Sequence, residues 1–174
     1  MEGGESRISH HAFSETDIRK AVGRIPIHRY PDLKSMNHPD DLFKNHNAVA
    51  LLFLTEGQNE GHWLAVLDHG DHYEVFDSFG TAIDGDRKWL DKKELLEFDE
   101  SAPLLSTLLA KGGKPVAHNT TKLQNDKADT CGRWIVWRIL NANTPLSQFV
   151  SKMKGSGKSP DDLVTELTYD AVHI

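Results

Sequence analysis

The apolar and polar positions of the chain divide it into segments with strand or helix periodicity. A continuous apolar run covers residues 48–55 and predicts a strand that is buried on both faces. The segments 62–69 and 72–79 are also strand-like, and Gly70 and Asp71 between them suit a tight hairpin turn. The three segments therefore predict consecutive neighbours in one sheet.

Helical patterns lie on both sides of these strands. Helices are predicted at residues 14–22, 86–98, 102–111, 131–141 and 160–172. The segment 131–141 is apolar on most of its circumference, which indicates a buried central helix. Residues 115–121 suit an edge strand because the proline stands at its start, whereas prolines and asparagines interrupt residues 26–47. This order of helices and strands along the chain predicts one α+β domain, residues 1–174, with a central mixed or antiparallel sheet flanked by helices.

Composition narrows the classes of protein that fit. The chain has 174 residues, 38% of them hydrophobic, which is enough for one domain with a real core. The net charge of -6 and the absence of a clustered basic run argue against nucleic acid as a strong partner. No run approaches the roughly 20 apolar residues of a membrane span, and the first residues lack the apolar core of a signal peptide. We expect an intracellular protein that is neither secreted nor bound to a membrane.

Cys131 is the single cysteine of the chain and stands where the predicted central helix begins. A free cysteine is often only a small buried hydrophobe, but a nucleophilic cysteine must be a thiolate. Asp129 or Thr130 is a natural N-cap, which places Cys131 in the first helical turn at the positive end of the helix dipole. Free backbone N–H groups there can bind an oxyanion, and Gly132 leaves space beside the sulfur. These features favour a nucleophile.

A thiol nucleophile needs a base, and His62 is the strongest of the ten histidines because it opens a predicted strand. In the predicted hairpin, Asp77 falls within one or two positions of His62, close enough to orient the imidazole and favour its charged form. Trp63 is placed to pack over this pair and limit water. Gln124 lies seven residues before the cysteine, across a polar loop, and its amide can donate to an oxyanion.

The ordered set "GHW", "FDSFG" and "LQNDKADTCGRW" resembles the adenain-like clan of cysteine peptidases. That clan includes the adenovirus maturation protease, peptidases of large DNA viruses, virophages and polinton elements, and proteases that process SUMO-like modifiers. The order is specific, because papain-like enzymes place the cysteine before the histidine. The resemblance implies that Cys131 is the nucleophile, His62 the base and Asp77 its orienting group, with Gln124 in the oxyanion hole.

The resemblance also implies a function. We expect a viral maturation endopeptidase, located in the host cytoplasm or the virion, that cleaves capsid or other structural precursors near small, glycine-rich sites. Trp63 and Gly132 would contact the substrate, and neither a cofactor nor a metal is expected. An activating peptide is conceivable, but activation through a disulfide or DNA is not assumed, since the chain has no second cysteine and is acidic. The alternatives are an isopeptidase acting on ubiquitin or SUMO-like conjugates and a non-enzymatic binding module.

Other histidines do not suggest a site. His69, Asp71 and His72 stand in the predicted hairpin turn with no fourth ligand nearby in the sequence, so we expect solvated turn residues and not a metal site. His10 and His11 are close to the terminus, where we expect disorder.

Overall fold

The computed structural model describes residues 12–57 and 60–173, so the expectation for His10 and His11 falls outside the described residues. The described part is built on a five-stranded sheet with the strand order β1-β2-β3-β4-β5. The strands are β1 Ile27–Arg29, β2 Ala48–Gly57, β3 Glu60–Asp68, β4 Tyr73–Phe76 and β5 Val116–His118. Strands β2, β3 and β4 are antiparallel, whereas β1 and β5 join the two edges in parallel.

Helices cover both faces of this sheet. They are α1 Glu15–Val22, α2 Pro39–Phe43, α3 Lys92–Glu97, α4 Leu104–Ala110, α5 Cys131–Leu140, α6 Leu146–Lys154 and α7 Pro160–His173. The predicted α+β class, with a mixed sheet flanked by helices, is therefore confirmed. The helix predicted at residues 14–22 is α1, which begins at a capping box formed by Ser14 and Asp17. Within the described ranges, no helix is both long enough and apolar enough to cross a membrane.

Strand β2 is apolar and buried from Ala48 to Leu54, where its alternate residues face two separate cores. Ala50 and Leu52 belong to the core that contains α5, whereas Leu51 and Phe53 belong to the core on the opposite face. Trp134 of α5 is completely buried in the first core. This packing confirms the prediction of a buried central helix that begins at the cysteine.

The hairpin of β3 and β4 has the register predicted from its turn. Ala65 pairs with Phe76, so the residue that follows β4, Asp77, comes level with the part of β3 next to His62. The register therefore brings the predicted histidine and aspartate to the same end of the sheet.

Several segments differ from the prediction, among them helix α2, which lies within residues 26–47 where no element was predicted. Strand β1 lies within residues 26–47, where no strand was predicted; it has only three residues and is stabilised by its parallel partner β2. The predicted helix 86–98 is divided into a 3-10 helix, Gly85–Trp89, and α3, because the Asp91 side chain accepts a hydrogen bond from Glu94 N and caps a new helix. Helix α6 was not predicted at all.

Candidate active site

Cys131 is the first residue of α5, and its side chain is partly exposed. Thr130 occupies the predicted N-cap position, but its hydroxyl does not cap the helix and instead donates to Asp161 Oδ1 of α7 at 2.6 Å. Asp161 also accepts from the backbone N–H of Asn125 at 2.8 Å and from Trp134 Nε1 at 3.2 Å. A carboxylate on α7 therefore fixes both the loop before the cysteine and the first turn of α5.

His62 lies between Cys131 and Asp77. Its Nε2 is 2.8 Å from Asp77 Oδ1, and the two side chains are 6% and 4% exposed. The Cys131 thiol lies close to the same imidazole and acts on its charge. Because Nε2 is engaged by the carboxylate, Nδ1 is the nitrogen left to face the sulfur. The structure thus brings three predicted site residues together, from α5, β3 and the turn after β4, with a hydrogen bond between His62 and Asp77.

The contacts of His62 favour its charged form. Burial alone would lower the pKa of His62, but hydrogen bonds to Asp77 and Cys131, together with their negative charge, raise it well above its usual value. Burial raises the pKa of Asp77, but the hydrogen bond and the charge of His62 outweigh it and hold the pKa of that carboxyl below its usual value. The pair therefore supports an imidazolium beside the thiol.

A tight turn holds the Asp77 carboxylate in place. Asp77 Oδ1 also accepts the backbone N–H of Phe79 at 2.9 Å, and the Asp77 carbonyl accepts that of Gly80 at 2.8 Å. Gly80 has φ +69°, and a Cβ there would come within 2.7 Å of the Thr120 carbonyl oxygen. This turn ends β4 at Phe76, so the strand predicted at residues 72–79 is too long at its end.

Three residues that support this geometry were not predicted. The Asn119 side chain bonds both the N–H and the carbonyl of Asp77, which extends the pairing of β4 and β5 beyond the strands. The rings of Phe79 and Trp89 lie 4.8 Å and 5.4 Å from the His62 ring and shield it from water. The expected position of Trp63 over the pair is therefore wrong: Phe79 and Trp89 occupy it.

Trp63 of β3 faces α5, where it packs next to Gly132. A Cβ added at Gly132 would lie 2.7 Å from the Cβ of Phe13 and 3.4 Å from Cδ1 of Trp63. Trp63 lines the cleft beside the cysteine, as predicted, but Gly132 is buried and does not. The expectation that Gly132 keeps space open for substrate needs correction: this glycine allows Phe13 and Trp63 to pack on the helix.

Gln124 lies in the cleft near Cys131 but is buried, not solvated as a residue of a polar loop would be. Its Oε1 accepts the Ser78 hydroxyl at 2.6 Å, and its amide nitrogen donates to the Ala128 carbonyl. Its backbone N–H also bonds the Ser78 carbonyl at 2.9 Å. These bonds fix the amide orientation, and one amide hydrogen remains for an acceptor in the cleft.

The site opens into a cleft of about 660 Å³. The cleft is lined by Trp89 and by four predicted site residues: His62, Trp63, Gln124 and Cys131. Exposed carboxylates surround it: Glu15, Glu56, Glu60, Asp126 and Asp129. The Cys131, His62 and Gln124 side chains therefore line one and the same cleft.

The arrangement offers one grouping of metal-binding type among the described residues, His62, Asp77 and Asp86, whose potential ligand atoms lie within 4.8 Å of one another. A metal there would have to separate His62 from Asp77, which are already hydrogen-bonded to each other.

The histidines of the hairpin turn are less solvated than expected. His69 is partly buried and bonds Glu74 at 2.9 Å, whereas His72 bonds the exposed Asp71 at 2.6 Å.

The fold and the site define an α+β protein in which a single cysteine, at the start of the central helix, contacts a buried histidine–aspartate pair. No family model matches the chain. Over 165 residues, however, it is 32% identical to protein V9 of Sputnik virophage, described as an uncharacterized protein, with 90% of this chain and 94% of that protein covered. The chain therefore belongs to the family of protein V9.

Among solved structures, the chain is similar to the ASFV pS273R protease. The two share 15% sequence identity with a TM-score of 0.45, over 94% of this chain and 68% of the protease. At this TM-score the likeness does not by itself establish a common fold. Membership of the adenain-like clan therefore stays a prediction from the sequence motifs.

Proposed function

We propose that this protein is a cysteine endopeptidase that cleaves structural precursor proteins of a virus or virophage during particle maturation. The observation that supports it most is the placement of Cys131 in an open cleft next to His62, whose imidazole is hydrogen-bonded to Asp77. The relationship to a protein of Sputnik virophage supports the viral setting. A protein substrate is the partner that this activity implies.

The reaction follows from the positions of these groups. The Cys131 thiolate attacks the carbonyl carbon of the scissile peptide bond, and the carbonyl π electrons move to the oxygen. The Cys131 backbone N–H, in the first turn of α5, and the Gln124 amide bind this oxyanion. The intermediate collapses to a thioester as His62 gives its proton to the departing amine. Water then attacks the thioester, His62 accepts the water proton, and the acid product leaves with the thiolate restored.

The residues beside the sulfur favour substrates with small residues at the cleavage site. Trp63 and Trp89 line the cleft together with Cys131. A large side chain next to the scissile bond would meet these indoles, whereas glycine would let the backbone approach the sulfur. We therefore expect cleavage next to glycine-rich sequences.

The test uses purified protein and candidate capsid precursors from the same genome. The unmodified protein should produce new termini at glycine-containing sites, mapped by mass spectrometry, and Cys131→Ala should produce none. Because Cys131 is the single cysteine, iodoacetamide should modify one site and abolish cleavage in proportion. Cleavage that continues after complete alkylation would exclude Cys131 as the nucleophile.

The same experiment separates the alternatives. Ubiquitin and SUMO-like modifiers that carry a fluorogenic group at the C-terminus are added as parallel substrates. Fast release of the dye without cleavage of the precursors would favour an isopeptidase. A folded protein that binds a precursor but cleaves neither kind of substrate would favour a binding module.

A further inference from the structure

Asp86 is a buried acid that the reaction above does not use. It belongs to the 3-10 helix Gly85–Trp89 and is 3% exposed. Its Oδ1 receives no hydrogen bond from the residues that the structure describes. A carboxylate oxygen of Asp86, one of Asp77 and a ring nitrogen of His62 lie within 4.8 Å of one another, so Asp86 stands beside the aspartate that orients His62.

Two buried carboxyl groups this close together cannot both be ionised without a large electrostatic cost. Asp77 bears the negative charge, because it faces the imidazole of His62 and accepts the Phe79 N–H. Burial, then the charge of Asp77 and the hydrogen bond with it, raise the pKa of Asp86 to about 8, against smaller lowering effects of His62 and Thr81. The ionisable groups acting on Asp86 are thus Asp77 of the β4 turn and His62 of β3.

We propose that Asp86 is a positioning residue that keeps its proton in the folded protein and donates it to the Asp77 carboxylate. Asp77 Oδ1 is already occupied by His62 and Phe79, which leaves the other oxygen as the acceptor for Asp86. A neutral donor fixes the carboxylate without cancelling its charge, whereas a lysine or arginine there would weaken its attraction for the imidazolium. The role in catalysis rests on the proposed function, but the retained proton is a property of the folded protein alone.

The first measurement is the melting temperature of the unmodified protein and Asp86→Asn between pH 5 and 9. An aspartate in the unfolded chain loses its proton near pH 4, so the folded state binds the extra proton up to about pH 8. The stability of the unmodified protein therefore falls with rising pH in this interval, and Asp86→Asn removes that contribution. The difference in Tm, variant minus unmodified protein, should rise from pH 5 to 8 and then level off.

The second measurement is the rate at which iodoacetamide modifies Cys131 at pH 7, which needs no substrate. Asp86→Asn keeps a donor for Asp77 and should react within about threefold of the normal rate. Asp86→Leu has the same branching of its side-chain heavy atoms but no donor, and should react about tenfold more slowly, as the loss of one hydrogen bond to a charged group predicts. This rescue by asparagine separates a donor role from simple filling of space.

Glu100 supplies a matched control outside the site. It is completely buried, accepts the Leu54 N–H at 2.7 Å, and burial raises its pKa to about 7. Glu100→Gln should give a Tm difference that also rises with pH, levelling near pH 7, with an unchanged alkylation rate.

A flat Tm difference between Asp86→Asn and the unmodified protein from pH 5 to 8 would overturn the proposal, because Asp86 would then be ionised. A normal alkylation rate in folded Asp86→Leu would overturn the positioning role. If Asp86→Leu does not fold, the pH series with Asp86→Asn still tests whether Asp86 keeps its proton in the folded protein. If both expected results are obtained but no peptide is cleaved, the proposed function fails and the support that Asp86 gives to Asp77 remains.

Discussion

Nε2 of His62 lies 2.8 Å from Oδ1 of Asp77, and the two side chains are almost fully shielded from water. In such surroundings one hydrogen bond sets both the direction of the imidazole and its charge. His62→Ala should therefore lower kcat/KM by about 10²–10⁴-fold, the usual contribution of general acid–base catalysis. The matched control is His46→Ala, an exposed histidine outside the cleft, which should leave kcat/KM unchanged. An equal loss in His118→Ala would require a different base.

Asp77→Asn keeps the shape of that contact but removes its charge, and should lower kcat/KM by about ten- to a hundredfold. The raised pKa of His62 gives stability that is fully present below its unfolded pKa, about 6.5, and is lost as the pH rises through the folded pKa. The lowered pKa of Asp77 gives stability that is present above about pH 4. Urea unfolding should show the largest cost of Asp77→Asn between about pH 4 and 6.5. A cost that stays constant up to pH 9 would contradict the assigned charges.

Gln124→Ala should affect both turnover and stability. Loss of one oxyanion donor lowers kcat by about 10²–10³-fold. Because the side chain is buried and bonds Ser78 and Ala128, its removal should also lower the free energy of unfolding by about 1–3 kcal/mol. The sequence alone placed Gln124 in a polar loop and gave no reason for a loss of stability. The measurements are peptide turnover, urea unfolding and the alkylation rate of Cys131.

The exposed Gln148 on α6 is the matched control, and Gln148→Ala should change none of the three quantities. Ser78→Ala separates the two effects further, since it removes a partner of the Gln124 amide but leaves the amide itself in the cleft. Normal kcat in a folded Gln124→Ala variant would show that backbone N–H groups bind the oxyanion alone.

Gly132→Ala tests the packing role that the structure gives this residue. The new methyl group would meet Phe13 Cβ at 2.7 Å, and overpacking of this kind costs about 1–3 kcal/mol of stability. Gly57→Ala adds the same group where nothing lies within 4 Å and should change the melting temperature much less. A variant at position 132 with unchanged stability but weaker substrate binding, measured as a raised KM, would instead restore the role in substrate contact.

Local patterns predicted the parts of the site that depend on neighbours in the chain. The turn at Gly70 and Asp71 sets the register of β3 and β4, and that register brings Asp77 level with the end of β3 near His62. The polar loop followed by an apolar run predicted that α5 begins at Cys131. In both cases the signal lies within a few residues of the feature that it predicts.

The missed residues depend on contacts between distant segments. Asp161 reaches the loop before the cysteine from α7, and Asn119 reaches Asp77 from beyond β5. Asp86 and Trp89 belong to a short 3-10 helix inside a segment, residues 86–98, that was predicted as one helix. Such residues have no periodicity of their own, since packing against the sheet decides their burial.

A second buried ionic contact lies away from the cleft and anchors the other end of α5. Arg138 Nε and Nη2 donate to the two oxygens of Glu74 at 2.8 and 2.7 Å, and both side chains are inaccessible to water. Arg138 Nη1 also donates to the carbonyls of Asn141 and Thr144. His69 gives Glu74 a third contact at 2.9 Å. The network therefore joins the central helix to β4, the strand that leads into the Asp77 turn.

Arg138→Met should destabilise the protein far more than the loss of an exposed ion pair, because it leaves the buried Glu74 without its main partner. The expected loss in urea unfolding is about 3–5 kcal/mol, and replacing both partners, Arg138→Met with Glu74→Leu, should cost less than the single change. Lys34→Met, which breaks an ion pair with Asp99 whose side chains are 65% and 61% exposed, should cost at most about 1 kcal/mol. If the loss of unfolding free energy in the double variant equalled the sum of the losses in the two single variants, Arg138 and Glu74 would act independently. Their bidentate contact would then not be what holds α5 against β4.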